Sequence, residues 1–267
     1  VDNPSSYFTD YVRRYTDMPM LVLLEENAGK LTQGRFLRAA DLVDNLGEAN
    51  NPDWKTIGIK QDGNLTSPNG AIGYRWGQNT DQIGKWNLEQ KDKDGDIALK
   101  LSLIDAHDEI AEVAFPYFGG APHEYKYFQH TEHDEVQIRR IPVRKVQLKD
   151  GTQALVATVF DLTLAHYGVD NGAAFGLADP NRATSFSDNV PYTPAWQQPI
   201  TGVEPEAVIR VAREFARNAD KTRGRSMVIV GAALNHWYHM DMNYRGLINM
   251  LMMCGCRSEE HTSELQS

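Results

Sequence analysis

Cysteine is nearly missing from this chain: the only two in 267 residues are Cys254 and Cys256. They are too close for an ordinary disulfide framework, and no second Cys or His pair stands at zinc-ribbon spacing, so a reducing compartment is the expectation. No run approaches the roughly 18 to 20 apolar residues that span a bilayer, and the amino end has no basic, apolar, small-residue signal pattern. Nothing in the chain is expected to enter a membrane itself. Positive charge is also scarce: 27 Lys and Arg face 36 Asp and Glu, for a net charge of −9 and a pI near 5.4. That balance argues against general nucleic-acid binding, which needs clustered cations to neutralise phosphates. A nucleophile motif is missing too. Thr184, Ser185 and Ser187 have no recognisable His and Asp partners, which leaves hydrolase chemistry without support.

What is present is concentrated in residues 226–256, SMVIVGAALNHWYHMDMNYRGLINMLMMCGC. Met227, Val228, Ile229 and Val230 are β-branched at three of four positions and predict a buried strand of a parallel sheet. Gly231, Ala232 and Ala233 supply a turn of the smallest side chains, where a ligand can approach the main chain. A helix over residues 241–253 should follow, ended by Gly255. A strand feeding a helix in this way places amide groups and a positive helix end where open α/β sheets bind phosphorylated ligands. Leu234 lies within this turn, and Asn235 and His236 are its candidate polar contacts. Gly-Ala-Ala lacks two of the three glycines of the dinucleotide fingerprint, and no acidic residue stands about 20 positions on. A tight connection with no ligand is the competing reading.

The rest reads as a mixed α/β chain, part of a doubly wound cofactor-binding domain with a β-rich insertion. The expected division is residues 1–50 as the end of an upstream α/β region, 51–160 as the insertion, 161–256 as a partial cofactor domain, and 257–267 as a tail. Tyr7, Phe8, Tyr11, Val12 and Tyr15 predict a short aromatic-faced helix. A hairpin joins residues 20–24 to 34–37 across a Gly turn, and 39–46 form one or two helical turns. Turn signals then separate short β-prone runs at 56–59, 98–103, 136–146 and 154–160, with the surest hairpin at Asp150-Gly151. Trp54, Trp76 and Trp86 are assigned to core or interface packing ahead of ligand stacking. A helix starts at Asp161, residues 170–199 form a long ordered loop, and Pro205 opens a helix burying Val208, Val211, Ala212, Phe215, Ala216 and Ala219. Arg210, Arg213, Glu214 and Arg217 form its solvated face.

Three metal readings are weighed and set aside. Asp92, Asp94 and Asp96 place Gly95 wrongly for a calcium loop, and no Glu completes one. His123, His130 and His133 lie in an irregular charged stretch, and His236, His239 and Asp241 make only a loose H-x-x-H-x-D. No metal ligand and no catalytic residue is assigned.

Seven segments carry a resemblance: TDMPMLVLLEE at 16–26, RAADLV at 38–43, KWNLEQ at 85–90, FPYFGG at 115–120, DLTLAHYG at 161–168, YTPAW at 192–196 and GAALNHWYHMDMNYRGLINMLMMCGC at 231–256. In this order they resemble the catalytic alpha subunits of membrane-bound respiratory nitrate reductases, molybdenum enzymes of the dimethyl-sulfoxide-reductase type. The resemblance covers nearly all of residues 1–256 and implies an internal fragment. It implies reduction of nitrate to nitrite with quinol-derived electrons in anaerobic respiration and nitrate assimilation. The implied cofactors are a molybdenum bis(molybdopterin guanine dinucleotide) and a [4Fe-4S] cluster. The implied partners are an iron–sulfur beta subunit and a membrane-embedded gamma subunit, at the cytoplasmic face of the bacterial membrane. It places Gly231, Ala232, Ala233, Leu234, Asn235 and His236 against one guanine dinucleotide; the family pattern is Gly-Ala-Gly, from which Ala233 departs. The family's cluster-binding His and Cys segment and its molybdenum-ligand Asp are expected upstream of Val1, which makes the fragment alone inactive. Val1 starts as if in mid-domain, and 257–267, RSEEHTSELQS, resembles a translated sequencing adapter. Another oxo-acid reductase of the superfamily and a noncatalytic interaction module are the alternatives.

Overall fold

The computed structural model describes Thr9 and residues 12–14, 16–68, 91–92, 94–118, 134–169 and 182–256. The helix expected around Tyr7 is seen at Thr9 and 12–14; its tyrosines, Trp76, Trp86, the histidines at 123, 130 and 133, and residues 257–267 lie outside the described residues. The fold is mixed α/β. Two compact units are distinguished among the described residues, one within 17–208 and one comprising 209–256 with the few residues before 17.

The larger unit is built on a closed five-stranded barrel of β1 (Leu21–Asn27), β2 (Lys30–Phe36), β7 (Glu109–Phe118), β8 (Asp134–Gln147) and β9 (Gln153–Thr158), paired in that order. Closure leaves none of these strands as an open edge. All neighbours run antiparallel except β2 and β7, which meet in parallel at Leu31 and Val113. Two short ladders, β3 (Gly58–Ile59) with β4 (Leu65–Thr66) and β5 (Lys91–Asp92) with β6 (Gly95–Asp96), complete the sheets. β1 and β2 form the hairpin expected from the sequence, turning through Ala28 and Gly29, both at positive φ. The Asp150-Gly151 turn joins β8 to β9 with Gly151 at φ 85°, a backbone state that favours glycine. Asp150 Oδ1 accepts from Thr152 N and Oγ1, which fixes the turn locally.

The run LVLL of β1 is apolar at every position because both of its faces are covered. Leu21 and Leu23 enter one cluster with Leu37, Ile57, Ile59, Leu103 and Val156, while Val22 and Leu24 enter a second with Val113, Phe115, Ile141 and Val143. Helix α1 (Val159–His166) adds Leu162 and Ala165 to the second cluster. Each fully buried aliphatic or aromatic side chain contributes about 1.5–3 kcal/mol. The run at 154–160 does not stay extended to its end: Thr158 Oγ1 accepts from Asp161 N at 3.0 Å and caps α1, so the strand stops there. The buried Asp161 carboxylate accepts from Thr158 Oγ1, Ser102 Oγ and Leu103 N at 2.9, 2.6 and 2.8 Å. Those bonds tie the loop before β7 to the start of α1.

Several expectations are corrected. Residues 98–103 form no strand, only a bridge from Leu99 to Lys60, and serve as buried filler through Leu99, Leu101 and Leu103. Residues 39–47 contain two 3-10 turns, the second carrying Asp44, Asn45 and Leu46 at φ 50–52°. Trp54 is 82% exposed and packs in no core of this chain. The loop at 182–199 ends in helix α2 (Pro194–Thr201), whose Thr193 cap accepts from Trp196 N. Helix α3 (Pro205–Thr222) begins at Pro205 as expected, yet its apolar stripe is not covered: Val211 is 60% exposed, Ala212 and Ala216 are exposed, and only Ala219 is buried. The 3.6-residue periodicity fixes which face is apolar; covering that face takes another element, and none of the described residues does so.

Candidate functional site

The stretch expected to meet a ligand begins where α3 ends. Asn218 Nδ2 donates to Ser226 Oγ at 2.8 Å and Ser226 Oγ donates to Phe215 O at 3.1 Å, which pins the outgoing chain to the helix. Residues 227–230 then run without secondary structure, Met227 70% and Ile229 89% exposed. This corrects the expected buried strand. A central strand takes its hydrogen bonds from neighbours on both sides, and no strand among the described residues pairs with this run.

Gly231 enters the turn extended, at φ −91° and ψ 173°, and Ala232–His236 form a 3-10 turn that it caps without a side-chain hydrogen bond. A Cβ built on Gly231 would meet nothing within 4 Å. The main chain at Gly231, Ala232 and Ala233 is therefore reachable, since the side chains there are at most one carbon. Leu234 is half-buried, and Asn235 and His236 are exposed. The Tyr244 hydroxyl donates to Asn235 Oδ1, which orients that amide. His239 adopts φ 54° and starts helix α4 (Met240–Met253), so three residues separate the turn from the helix. Asp241 in the first turn complements the helix dipole.

The far end of α4 closes as the sequence predicts. Gly255 N donates to Met252 O at 3.0 Å and Cys256 N to Leu251 O at 2.8 Å, with Gly255 at φ 65°. These are the paired bonds of a Schellman motif. Both cysteines are free thiols, and burial raises their pKa values, which suits packing rather than nucleophilic chemistry. His236, His239 and Asp241 are all exposed, and no group of three or more metal-ligating side chains occurs among the described residues.

A second polar cluster, in the larger unit, was not foreseen. His166 Nε2 and the Tyr192 hydroxyl are hydrogen-bonded at 2.6 Å although 26 positions apart. Phe115 meets the imidazole edge-on at 5.5 Å, and Trp196 stacks at a tilt on Tyr192. Buried Arg139 donates to Gln137 Oε1 at 2.6 Å, and Gln137 donates to His166 O at 3.0 Å. Burial, then the Arg139 charge, lowers the His166 pKa; burial, then Tyr167, raises that of Tyr192. Both groups are thus held neutral at pH 7. The only sequence sign was that DLTLAHYG and YTPAW, two segments carrying the resemblance, supply these partners. A third polar group lies near β4 and β5, where buried Asp92 accepts from Thr66 Oγ1 at 2.6 Å. It is a turn of the chain, as the sequence suggested, since Asp92 Oδ1 also accepts from Asp94 N at 2.9 Å.

No family model matches the chain. The respiratory nitrate reductase 1 alpha chain of Escherichia coli (strain K12) is 60% identical over 258 residues, 96% of this chain and 20% of that protein. The nitrate reductase alpha chain of Bacillus subtilis (strain 168) is 38% identical over 261 residues, 96% of this chain and 19% of that protein. The perchlorate reductase subunit alpha of Dechloromonas aromatica (strain RCB) is 28% identical over 111 residues, 42% of this chain and 9% of that protein. The chain thus spans about a fifth of the length of the nitrate reductase relatives it matches, and over that span it belongs to the family of respiratory nitrate reductase alpha chains.

Proposed function

We propose that the chain is a segment of the catalytic subunit of a molybdenum-dependent nitrate reductase, and that its turn at 231–236 holds part of a molybdopterin guanine dinucleotide. The observation that carries this reading is the 60% identity across 96% of the chain. The turn fits such a group: open space lies over Gly231, two alanines follow, and Asn235 is oriented from behind by Tyr244. The main chain of Gly231, Ala232 and Ala233 would lie along the diphosphate. Asn235 and His236 would offer hydrogen bonds beside it, and Leu234 would anchor the turn from its half-buried side. The chemistry the bound group supplies is removal of one oxygen atom from nitrate with two electrons and two protons, giving nitrite and water. This chain's part in it is to bind and orient.

The parent also carries an iron–sulfur cluster, whose ligands the resemblance puts outside this span, and it works with an iron–sulfur beta subunit and a membrane-embedded gamma subunit that oxidises quinol. No helix among the described residues is long and apolar enough to cross a membrane, in keeping with attachment at the cytoplasmic face through those partners. The test is a parent-length chimera in which residues 1–256 replace the aligned segment of the Escherichia coli relative. Nitrate reduction by the chimera, and none by the 267-residue chain alone, is the expected result. Activity on perchlorate with none on nitrate would favour the second oxo-acid reading, which the partial perchlorate reductase match motivates.

A further inference from the structure

A cleft of about 270 Å³ in the larger unit lies away from the 231–236 turn in sequence and is lined by Leu46, Glu48, Lys60, Leu65, Ser67 and Asp94, with Thr66 and Asp92 in its wall. Its lining carries three carboxylates and one ammonium. Asp92 is already occupied, by Thr66 Oγ1 at 2.6 Å, Asp94 N at 2.9 Å and the Lys60 ammonium at 3.9 Å. Those bonds hold its carboxyl below the usual range against the opposing effect of burial, so its negative charge is fixed. Glu48 and Asp94 line the same space. The independent sign of a ligand is Ser67, only 4% exposed, whose hydroxyl lines the cleft and has no hydrogen-bond partner. A buried polar group left unpaired is costly unless something fills the space beside it.

We propose that this cleft binds a small alkylammonium ligand, its N–H groups shared among Ser67, Glu48 and Asp94 and its methylene chain lying on Leu46 and Leu65. The net negative lining selects a cation over an anion. A bare metal ion is disfavoured, since the described carboxylates are not gathered closely enough to ligate one. The size suits an organic cation, as 270 Å³ equals the volume of roughly nine waters at about 30 Å³ each. Lys60 shows the chemistry from within, an alkylammonium held against Asp92.

The inference is independent of the cofactor reading, and its test needs no activity. The parent-length chimera is titrated with 1,4-diaminobutane, and backbone hydrogen exchange is followed by mass spectrometry in peptides covering 58–67 and 91–96. Saturable protection there, absent with 1-butanol and with sodium chloride at equal ionic strength, is expected. Peptides of β1 and β9 should not change, and they report that the barrel is folded. Glu48→Gln with Asp94→Asn should weaken the protection at least about tenfold, and Ser67→Ala about three- to tenfold, the worth of one hydrogen bond. Because the Ser67 hydroxyl is unpaired without ligand, Ser67→Ala should fold at least as well as the parent. Protection that sodium chloride reproduces, or that survives both variants unchanged, would overturn the proposal, as would no protection in a folded barrel.

Discussion

The barrel and the carboxyl-terminal region use similar apolar residues in opposite ways. In the barrel, Leu21, Val113, Phe115 and Ile141 are buried on faces supplied by this chain. Past residue 209, Val211, Met227, Ile229, Met242 and Ile248 are exposed, although their periodicity and β-branching are those of interior residues. Burial is therefore a property of available partners as much as of sequence. The first region carries its own core. The second presents an apolar stripe and a strand-like run that find no cover among the described residues, which agrees with a chain spanning about a fifth of its relatives' length.

The sharpest way to break this contrast is to truncate one residue in each region and measure unfolding in urea. Phe115→Ala should cost about 3–5 kcal/mol, because it empties a packed site. Asp161→Ala comes next at on the order of 3 kcal/mol, since it leaves Leu103 N and two hydroxyls without their shared acceptor. The barrel should also respond to acid through His166. Its folded pKa is depressed, so the unfolded chain takes up the proton more readily. Stability should then be full above about pH 6.5 and fall as pH drops below it. His166→Gln should flatten that slope in chemical unfolding followed from pH 7.5 to 5. Ile229→Ala, by contrast, should change the stability of the 267-residue chain by no more than about 0.5 kcal/mol. In the parent-length chimera Ile229→Asp should reduce the yield of assembled protein, and an unchanged yield would mean that the run stays exposed there too.

Local signals were legible in the sequence wherever the chain supplies both halves of an interaction. The β1–β2 hairpin, the Asp150-Gly151 turn, the Pro205 helix start and the Gly255 helix end all depend on residues within a few positions of each other, and all are present. The strand at 227–230 and the buried face of α3 depend on distant partners, and there periodicity told only what the residues suit. His166 with Tyr192, and Ser67 beside Asp92, escaped notice for a related reason: each pair is brought together by tertiary folding across about 25 positions, with no spacing rule to reveal it. The turn at 231–236 sits between these cases. Its small residues are visible in the sequence, whereas the Tyr244 bond that orients Asn235 is visible only in the fold.

The most direct measurement is molybdenum and guanine nucleotide content, per assembled protein, in the parent-length chimera and in its Gly231→Trp variant. Gly231 lies under open space in this chain, so the indole does not disturb the turn's own packing and would fill the volume assigned to the diphosphate. The account predicts a full complement of both in the chimera and loss of guanine nucleotide, at least about tenfold, in a variant that still assembles. An assembled Gly231→Trp protein with an undiminished complement would contradict it.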